Sequence, residues 1–216
     1  MKFFLDSTVL EDIQAAVETG LVDGVTTNPS LVAKAGIPQE KLIRSICEIV
    51  GGPVSVEVSG LIAQDMVEEG KNFASWASNI VVKVPLTLEG LKACRLLHQE
   101  NIPVNVTLCF SAAQALLAAK ASATYISPFI GRLEDVGGDG QVLLEQMRHL
   151  LDQGDFSKTQ ILAASIRNPS HVVMAALAGA DVVTLPFGVL QQLYQHPLTD
   201  VGLEAFMRDV ARIPKD

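Results

Sequence analysis

The sequence predicts a (β/α)8 barrel, and three observations support that prediction. Short β-branched runs alternate with helical stretches along the chain, which is the order found in parallel βαβ units. The runs are largely apolar throughout, as in strands that are covered on both faces. Eight such units recur with no leftover segment large enough for a second domain, which favours a closed barrel over an open sheet.

The predicted strands are Lys2–Asp6, Gly24–Thr27, Val54–Val58, Ile80–Pro85, Val104–Leu108, Tyr125–Phe129, Gln160–Ser165 and Val182–Pro186. The predicted helices between them include Leu10–Thr19, Gln39–Val50, Gly90–Gln99, Ser111–Ala121, Asp139–Leu151 and Pro169–Ala178. An open nucleotide-binding sheet is the nearest alternative, but no GxGxxG motif follows a strand. We therefore expect one α/β domain over residues 1–216, a single TIM barrel with an additional C-terminal helix at about 197–212.

The amino-acid composition and net charge limit the kinds of molecule that the protein is expected to bind. Of the 216 residues, 49% are hydrophobic and 19% are charged, which suits a globular domain with a sizeable core. The formal net charge of −8 argues against nucleic acid and against an anionic membrane surface, since both attract basic proteins. A few placed arginines could still bind a phosphate, so the negative net charge does not exclude a phosphorylated metabolite as a ligand.

Cysteine usage and the apolar runs point to a cytoplasmic protein. The three cysteines lie far apart, and neither a CxxC pair nor an HExxH motif occurs, so neither a disulfide framework nor a metal site is predicted. The N-terminal residues do not resemble a secretory signal, and no apolar run reaches membrane-spanning length. We expect a cytoplasmic protein without a bound metal.

Polar residues interrupt the strands where a barrel carries its chemistry, at the C-terminal strand ends. Residues two apart on a strand share a face, so several strands should present polar residues together on one side. These sets are Thr26 with Asn28, Ser55 with Glu57, Asn105 with Thr107, Ser165 with Arg167, and Ser127 beside Tyr125 and Phe129. The repetition of this pattern predicts a shared polar cavity.

Lys83 is the most informative single residue, because it interrupts the apolar run Val81–Pro85. A lysine in a strand can also extend its amine to solvent or protect a sheet edge, but a barrel has no edge. Burial disfavours the ammonium form, and a neutral amine can attack a ketone carbonyl to form a Schiff base. Lys83 is therefore the predicted covalent residue.

Two carboxylates accompany this lysine. Asp6 and Glu57 would be costly inside a barrel unless they were paired or used, so they are either structural partners of Lys83 or proton-transfer groups. Asn28 is ambiguous, because Asn28-Pro29 and Asn168-Pro169 both match a helix N-cap followed by proline. From the residues alone, capping is the better interpretation for both asparagines.

Two arginines follow the sixth and seventh predicted strands. Arg132 and Arg167 would each be unremarkable on a surface, but at one rim of a barrel they resemble a phosphate clamp. The exit of the eighth strand, Leu185–Gly188, lacks a glycine-rich phosphate cradle. The arginines would therefore have to bind the anion.

The quoted motifs resemble those of the small transaldolases, which are close relatives of fructose-6-phosphate aldolase. The resemblance covers nearly the whole chain and includes long, specific segments. These segments are Gly24–Val32, Ile80–Pro85 followed by Thr87, Glu89–Leu91, Ala93 and Leu97, then Asn105–Phe110, Ser127–Phe129 and Gly131–Leu133.

The resemblance implies that a dihydroxyacetone unit passes from a ketose phosphate (sedoheptulose 7-phosphate or fructose 6-phosphate) to an aldose phosphate (glyceraldehyde 3-phosphate or erythrose 4-phosphate), in the pentose phosphate pathway. Lys83 would form the imine and Asp6 would take the C4 hydroxyl proton. Glu57 and Thr107 would hold the water that shuttles protons. The residues implied to bind substrate are Asn28, Asn105, Ser127, Phe129, Ser165, Arg132 and Arg167. No metal or organic cofactor is implied, and Asn28 takes a binding role that its capping pattern alone does not predict.

Two other activities stay open beside the transaldolase reaction. Fructose-6-phosphate aldolases release free dihydroxyacetone, and members of that group resemble this chain but carry Tyr in place of Phe129 and Gln in place of Glu57. At both positions this chain therefore carries the residue that resembles transaldolases. A non-catalytic barrel that binds phosphosugars is the more distant alternative, because a fold does not fix a function.

The C-terminal helix carries an apolar stripe of Leu203, Phe206, Met207 and Val210 at helical spacing. From the residues alone, this stripe could equally cap the helix's own barrel or meet a neighbouring chain. Small transaldolases form rings of five that pair into decamers, with this helix reaching onto a neighbour. The resemblance therefore implies a homodecamer or homopentamer.

Overall fold

Eight parallel strands form a closed barrel in the computed structural model, which describes residues 1–214. Each strand pairs with the next along the chain, and β8 pairs back with β1. Residues 215 and 216, the last two of the predicted domain, lie outside the described range. The strands are β1 Lys2–Asp6, β2 Gly24–Thr26, β3 Val54–Glu57, β4 Ile80–Pro85, β5 Val104–Cys109, β6 Tyr125–Pro128, β7 Gln160–Ala163 and β8 Val182–Leu185.

Helices cover the outside of the barrel, at least one between each pair of consecutive strands. They are α1 Leu10–Glu18, α2 Pro29–Ala35, α3 Gln39–Ile49, α4 Ala63–Ala74, α5 Leu88–Gln99, α6 Ala112–Lys120, α7 Ile130–Asp135, α8 Gly140–Gln153, α9 Pro169–Leu177, α10 Phe187–Tyr194 and α11 Pro197–Val210. The predicted barrel and its additional C-terminal helix are confirmed. Within residues 1–214, no helix is both long and apolar enough to cross a bilayer.

Several predicted strands extend one or two residues too far at their C-terminal ends. The predicted strand Gln160–Ser165 ends at Ala163, for example, because Ser165 adopts a positive φ of 61° that an extended strand cannot contain. In β5 the strand continues one residue further than predicted, through a bulge at which Leu108 has φ 60°. These irregular residues lie at the end of the barrel that carries the polar side chains.

The core has two layers separated by the barrel wall. Outward-facing strand residues such as Leu5, Val56 and Val82 pack against the helices. The barrel interior contains a smaller cluster of six buried residues, Phe4, Val81, Tyr125, Leu162, Ala164 and Val182. Because side chains alternate along each strand, residues two positions further toward the C-terminal ends enter the space above this apolar floor.

Candidate active site

Polar side chains fill the layer above the apolar floor of the barrel. Seven of them are almost completely buried, which is costly unless each finds a partner or performs chemistry. These residues are Thr26, Ser55, Lys83, Asn105, Thr107, Ser127 and Thr184. Six strands contribute these residues, and their concentration inside the barrel marks this layer as the candidate active site.

Lys83 stands in the middle of this layer, and only 5% of its surface is exposed. Its register partner on β3 is Glu57, whose Oε2 lies 3.0 Å from Lys83 Nζ. The same nitrogen donates a hydrogen bond to the backbone oxygen of Thr27 at 3.2 Å. The burial rules out an amine that extends to bulk solvent. The ion pair between Lys83 and Glu57 is compatible with both roles considered for Glu57, a structural partner of the lysine and a proton-transfer group.

Asp6 ends β1 on the other side of the cavity. Its Oδ1 accepts a hydrogen bond of 2.8 Å from the Thr26 hydroxyl. Burial raises the pKa of the Asp6 carboxyl, and the Thr26 hydrogen bond and the charge of Lys83 act in the opposite direction. A carboxylate with a raised pKa is a stronger base than an ordinary aspartate, as proton abstraction from a hydroxyl requires.

A cavity of about 140 Å³ opens between Lys83 and Asp6. Polar groups from six strands or the segments that follow them converge on it, together with the ring of Phe129 and the guanidinium of Arg132. Its lining residues are Asp6, Thr26, Asn28, Lys83, Ser127, Phe129, Arg132, Ala164, Ser165 and Thr184. Seven of the predicted site residues are among them. Glu57, Asn105, Thr107 and Arg167 are not, although Glu57 touches Lys83 directly.

Asn28 caps a helix and also lines the cavity. Its Oδ1 accepts the Leu31 backbone N–H at 3.0 Å and so caps α2, which begins at Pro29. The predicted capping is thereby confirmed for Asn28, and also for Asn168, which caps α9. Since Asn28 also lines the cavity and its oxygen is engaged, its Nδ2 is left to donate to a bound hydroxyl.

Asn105 and Thr107 lie deeper, on β5. Ser127 donates to Asn105 Oδ1 at 2.7 Å, and Asn105 Nδ2 in turn donates to Ser55 Oγ at 3.3 Å. The Thr107 hydroxyl is fully buried and has no hydrogen-bond partner within the described part of the chain. The β5 bulge, at which Leu108 holds a strained positive φ, comes directly after this threonine.

Phe129 and Arg132 form the outer wall of the cavity. The Arg132 guanidinium carbon lies 4.7 Å from the centre of the Phe129 ring, a cation–π contact. Arg132 belongs to α7, which approaches the β7 exit closely at Gly131, where a Cβ atom would come within 2.3 Å of the Ser165 oxygen. Glycine at this position therefore allows Arg132 and Ser165 to border one cavity.

Arg167 does not share this position with Arg132. Its guanidinium makes a two-pronged ion pair with the carboxylate of Asp135 on α7, and about half of its side chain is exposed. This contact raises the pKa of Arg167 and lowers the pKa of Asp135. In this structure one arginine of the predicted pair faces the cavity and the other is neutralised beside it.

Three residues at the site were not predicted as site residues. Thr26 belongs to a predicted polar set but has no predicted role, Thr184 lies outside the predicted polar sets, and Ala164 is apolar. Thr184 interrupts the apolar run of β8 as Lys83 interrupts β4, so the same signal could have identified it. Ala164 carries no signal of this kind, because a small apolar residue fits the interior of any barrel strand.

A larger cavity of about 530 Å³ lies at the opposite end of the barrel, between the segments that precede β6 and β7. Its charged side chains, Asp155 and Lys158, are exposed and do not contact each other in an ion pair among the described residues. Residues 1–214 also contain no cluster of three or more histidines, cysteines or acids that could hold a metal ion. The converging buried groups therefore favour the smaller cavity as the reactive site.

Comparison with known proteins points to one family. A model of the Transaldolase/Fructose-6-phosphate aldolase family matches residues 3–214. A probable transaldolase of Aquifex aeolicus is 51% identical over 215 residues, 100% of this chain and 99% of the relative. Relatives of the same description from Prosthecochloris aestuarii and Parvibaculum lavamentivorans are 55% and 57% identical, covering 100% and 97% of this chain and 100% and 96% of their own length.

A solved structure shares the fold with much less sequence similarity. The thiamine phosphate pyrophosphorylase of Pyrococcus furiosus superposes with a TM-score of 0.64 at 13% identity, over 89% of this chain and 93% of its own. At this identity the likeness concerns the barrel alone.

Proposed function

Because the chain belongs to the transaldolase/fructose-6-phosphate aldolase family, we propose that it is a transaldolase that works through a Schiff base on Lys83. The donor is a ketose phosphate, sedoheptulose 7-phosphate or fructose 6-phosphate, and the acceptor is glyceraldehyde 3-phosphate or erythrose 4-phosphate. The observation that carries the proposal is the buried amine of Lys83, which contacts Glu57 and lines the same cavity as Asp6.

Imine formation is the first step. The Lys83 nitrogen adds to the C2 carbonyl of the ketose, and the carbinolamine then loses water to give a protonated imine. These transfers need a group that gives and takes protons close to the nitrogen, and Glu57 Oε2 lies 3.0 Å away. The buried Thr107 hydroxyl has no hydrogen-bond partner among residues 1–214, and we assign to it the water that moves between them.

The second step is cleavage of the donor's C3–C4 bond, which uses Asp6 on the side of the cavity opposite Lys83. Asp6 takes the proton from the C4 hydroxyl, the C3–C4 bond breaks, and its electron pair moves into the protonated imine to give an enamine on Lys83. The aldose phosphate leaves, an acceptor aldehyde enters, and the steps run in reverse. The imine accepts the electrons, so the proposed reaction uses neither a metal nor an organic cofactor.

Substrate contacts are assigned to the remaining residues of the cavity and its edge. Asn28 Nδ2, Ser127 and Ser165 would bind the donor's hydroxyls, with Asn105 holding Ser127 in place through the 2.7 Å hydrogen bond. Arg132 and Arg167 would bind the terminal phosphate. Arg167 would have to exchange its Asp135 partner for the phosphate, so its net contribution should be the smaller of the two.

Borohydride trapping tests this proposal against a barrel that merely binds phosphosugars. Reduction in the presence of fructose 6-phosphate should add the mass of the reduced donor fragment to the peptide that contains Lys83. The same treatment without sugar is the control. A protein that binds the sugar without acquiring this adduct would be a binder and not a class I aldolase.

Phosphate binding leads to a prediction about the two arginines. Arg132→Ala should lower kcat/KM for fructose 6-phosphate about tenfold to a hundredfold, because a charge-assisted contact is lost, and should leave unphosphorylated fructose nearly unaffected. Arg167→Ala should cause a smaller loss of the same kind. Arg95→Ala, whose parent side chain contacts Ser122 away from the cavity, is the matched control. Equal losses on both sugars would remove the arginines from the phosphate site.

A second prediction separates transfer from free aldolase activity. Phe129→Tyr should increase the release of dihydroxyacetone, since a phenol at the cavity wall can hold a water that protonates the enamine. Glu57→Gln should strengthen this effect. Phe110→Tyr is the control, because Phe110 packs against Phe129 with ring centres 6.0 Å apart but does not line the cavity. A double variant that releases no more dihydroxyacetone than the parent would contradict the assignment.

Assembly is proposed on the basis of α11. None of its residues is buried, and its apolar residues Leu203, Phe206, Met207 and Val210 are 56% to 69% exposed. Such a face is typical of an interface. A closed ring requires a heterologous contact, and a helix that docks on the neighbouring chain provides one. We therefore infer a homopentamer, or a homodecamer of two such rings.

Sedimentation tests the assembly. The intact protein should have a mass near five or ten times 23.1 kDa, and truncation after Gln195 should lower it. Removal of residues 213–216 alone, which leaves α11 intact, should not change it. A monomer at micromolar concentration would refute the assembly, and an unchanged oligomer after truncation would exclude α11 from the interface.

A further inference from the structure

A second hydroxyl lies behind the one that contacts Asp6. The Thr184 hydroxyl on β8 is 2.6 Å from the Thr26 hydroxyl on β2, and Thr26 donates to Asp6 Oδ1 at 2.8 Å. Both threonines line the cavity, and only 2% of Thr26 and 4% of Thr184 are exposed. The three residues therefore form a continuous hydrogen-bonded chain across the barrel interior.

The direction of this chain follows from the number of protons. A threonine hydroxyl carries one proton and accepts through its lone pairs. Thr26 gives its proton to the carboxylate, which has none to offer when ionised, so the short contact with Thr184 must use a lone pair of Thr26. Thr184 is consequently the donor, and both hydroxyl dipoles point toward Asp6.

We propose that Thr184 is a positioning residue for Asp6, acting through Thr26 to hold the carboxylate ionised and aimed into the cavity. Donors in a chain polarise one another, so the hydroxyl of Thr26 is a stronger donor while it accepts from Thr184. The part of this proposal that concerns turnover rests on the proposed transaldolase function. The part that concerns the Asp6 carboxyl rests on geometry alone.

The other charges around Asp6 are known from the structure. Lys83 on β4 and Arg132 on α7 favour its ionised form, and Glu57 on β3 opposes it. Burial is the largest influence and raises the pKa of Asp6, while the Thr26 hydrogen bond is the main effect that lowers it. Weakening that bond should therefore raise the pKa further, so that the base form is lost at a higher pH.

A buried hydroxyl at position 184 would be costly if it served no purpose. Its neighbours on β8, Val183 and Leu185, pack outward against helices, and Val182 belongs to the apolar floor. Valine has the same shape as threonine and would fill the position without a polar group. The hydroxyl is therefore explained by its contact with Thr26.

The test compares Thr184→Val, which removes the hydroxyl donor, with Thr184→Ser, which retains it. The pKa of Asp6 is measured by carboxyl carbon-13 NMR titration without substrate, with Asp6→Asn identifying the resonance. Thr184→Val should raise this pKa by about half a unit, and Thr184→Ser should return it toward the parent value. Thr184→Ala removes the same donor with a smaller side chain and should give the same upward shift.

The control is Thr159→Val. Thr159 is equally buried but donates to the Ala123 oxygen at the far end of the barrel, so its loss should not move the Asp6 titration. An unchanged Asp6 pKa in both Thr184→Val and Thr184→Ala, or an equal shift in Thr159→Val, would overturn the proposal.

The second measurement is the pH dependence of kcat/KM, together with kcat itself. The acid limb of the kcat/KM profile should move upward in Thr184→Val, and kcat should fall about tenfold, while borohydride trapping on Lys83 stays at the parent level. Trapping that fell together with kcat would show a general disturbance of the site and contradict the positioning role. A parent protein with neither trapping nor transfer would refute the proposed function, and the Asp6 titration would still decide the hydrogen-bonded chain.

Discussion

Lys83→Met is expected to reduce transfer of the dihydroxyacetone unit to the background of the assay and to eliminate the borohydride adduct. Methionine fills a similar volume but has no amine, so neither the imine nor the enamine can form. The barrel should still fold but melt at a lower temperature, because methionine fills the space of the lysine while Glu57 loses its ion-pair partner.

Circular dichroism and the melting temperature would establish that the Lys83→Met barrel is intact. Lys92→Met is the matched control, since Lys92 is an exposed lysine on α5 that pairs with Glu89 and lies outside the cavity. Retained transfer in a folded Lys83→Met protein would eliminate the Schiff-base mechanism.

Asp6→Asn is expected to lower kcat by about a hundredfold to ten-thousandfold, the usual contribution of a general base. The amide oxygen can still accept from Thr26, so the cavity should keep its shape. Imine formation does not use Asp6 in the proposed sequence of steps. The Lys83 adduct should therefore still form on borohydride treatment, although C3–C4 cleavage is slow.

The pH dependence of activity provides a further test of the role of Asp6. Burial raises the pKa of this carboxyl above its ordinary value of 3.8, so the base form and the activity should disappear as the pH falls through the raised pKa. The folded protein binds the Asp6 proton more tightly than the unfolded chain does. Ionisation of Asp6 therefore costs stability as the pH rises through that range, and Asp6→Asn should not lower the melting temperature at neutral pH.

Asp139→Asn is the control for this pair of measurements, because Asp139 caps α8 on the surface and does not line the cavity. It should leave kcat and the acid limb unchanged. An Asp6→Asn protein with near-normal kcat would show that another group takes the C4 hydroxyl proton.

The sequence by itself determined the barrel and its family. Alternation of apolar runs with helical stretches is a local property, and it located all eight strands to within two residues at their ends. The polar interruptions were equally local, so Lys83, Asp6 and Glu57 could be singled out before their contacts were known. The motif resemblance to transaldolases is confirmed by the family match over residues 3–214.

The ends of the strands were less predictable. A strand can end where the backbone conformation changes, although the residue types at that point would allow it to continue. Ser165 and Leu108 are ordinary residues in the sequence, yet both take positive φ values that depend on how the chain leaves the barrel. The helices α2, α4, α7 and α10 are not among those named from the sequence. For α2 and α7, which have seven and six residues, fewer than two turns leave too few positions for a helical period to emerge from the apolar pattern.

Only the tertiary structure decided which polar residues work together. Thr26 and Thr184 are 158 positions apart, and their contact exists because barrel closure brings β8 beside β1, one strand from β2. The pairing of Arg167 with Asp135 likewise depends on the close approach of α7 to the β7 exit. Periodicity fixes the face on which a side chain lies, whereas the stagger of the closed barrel and the choice of rotamer fix its partner.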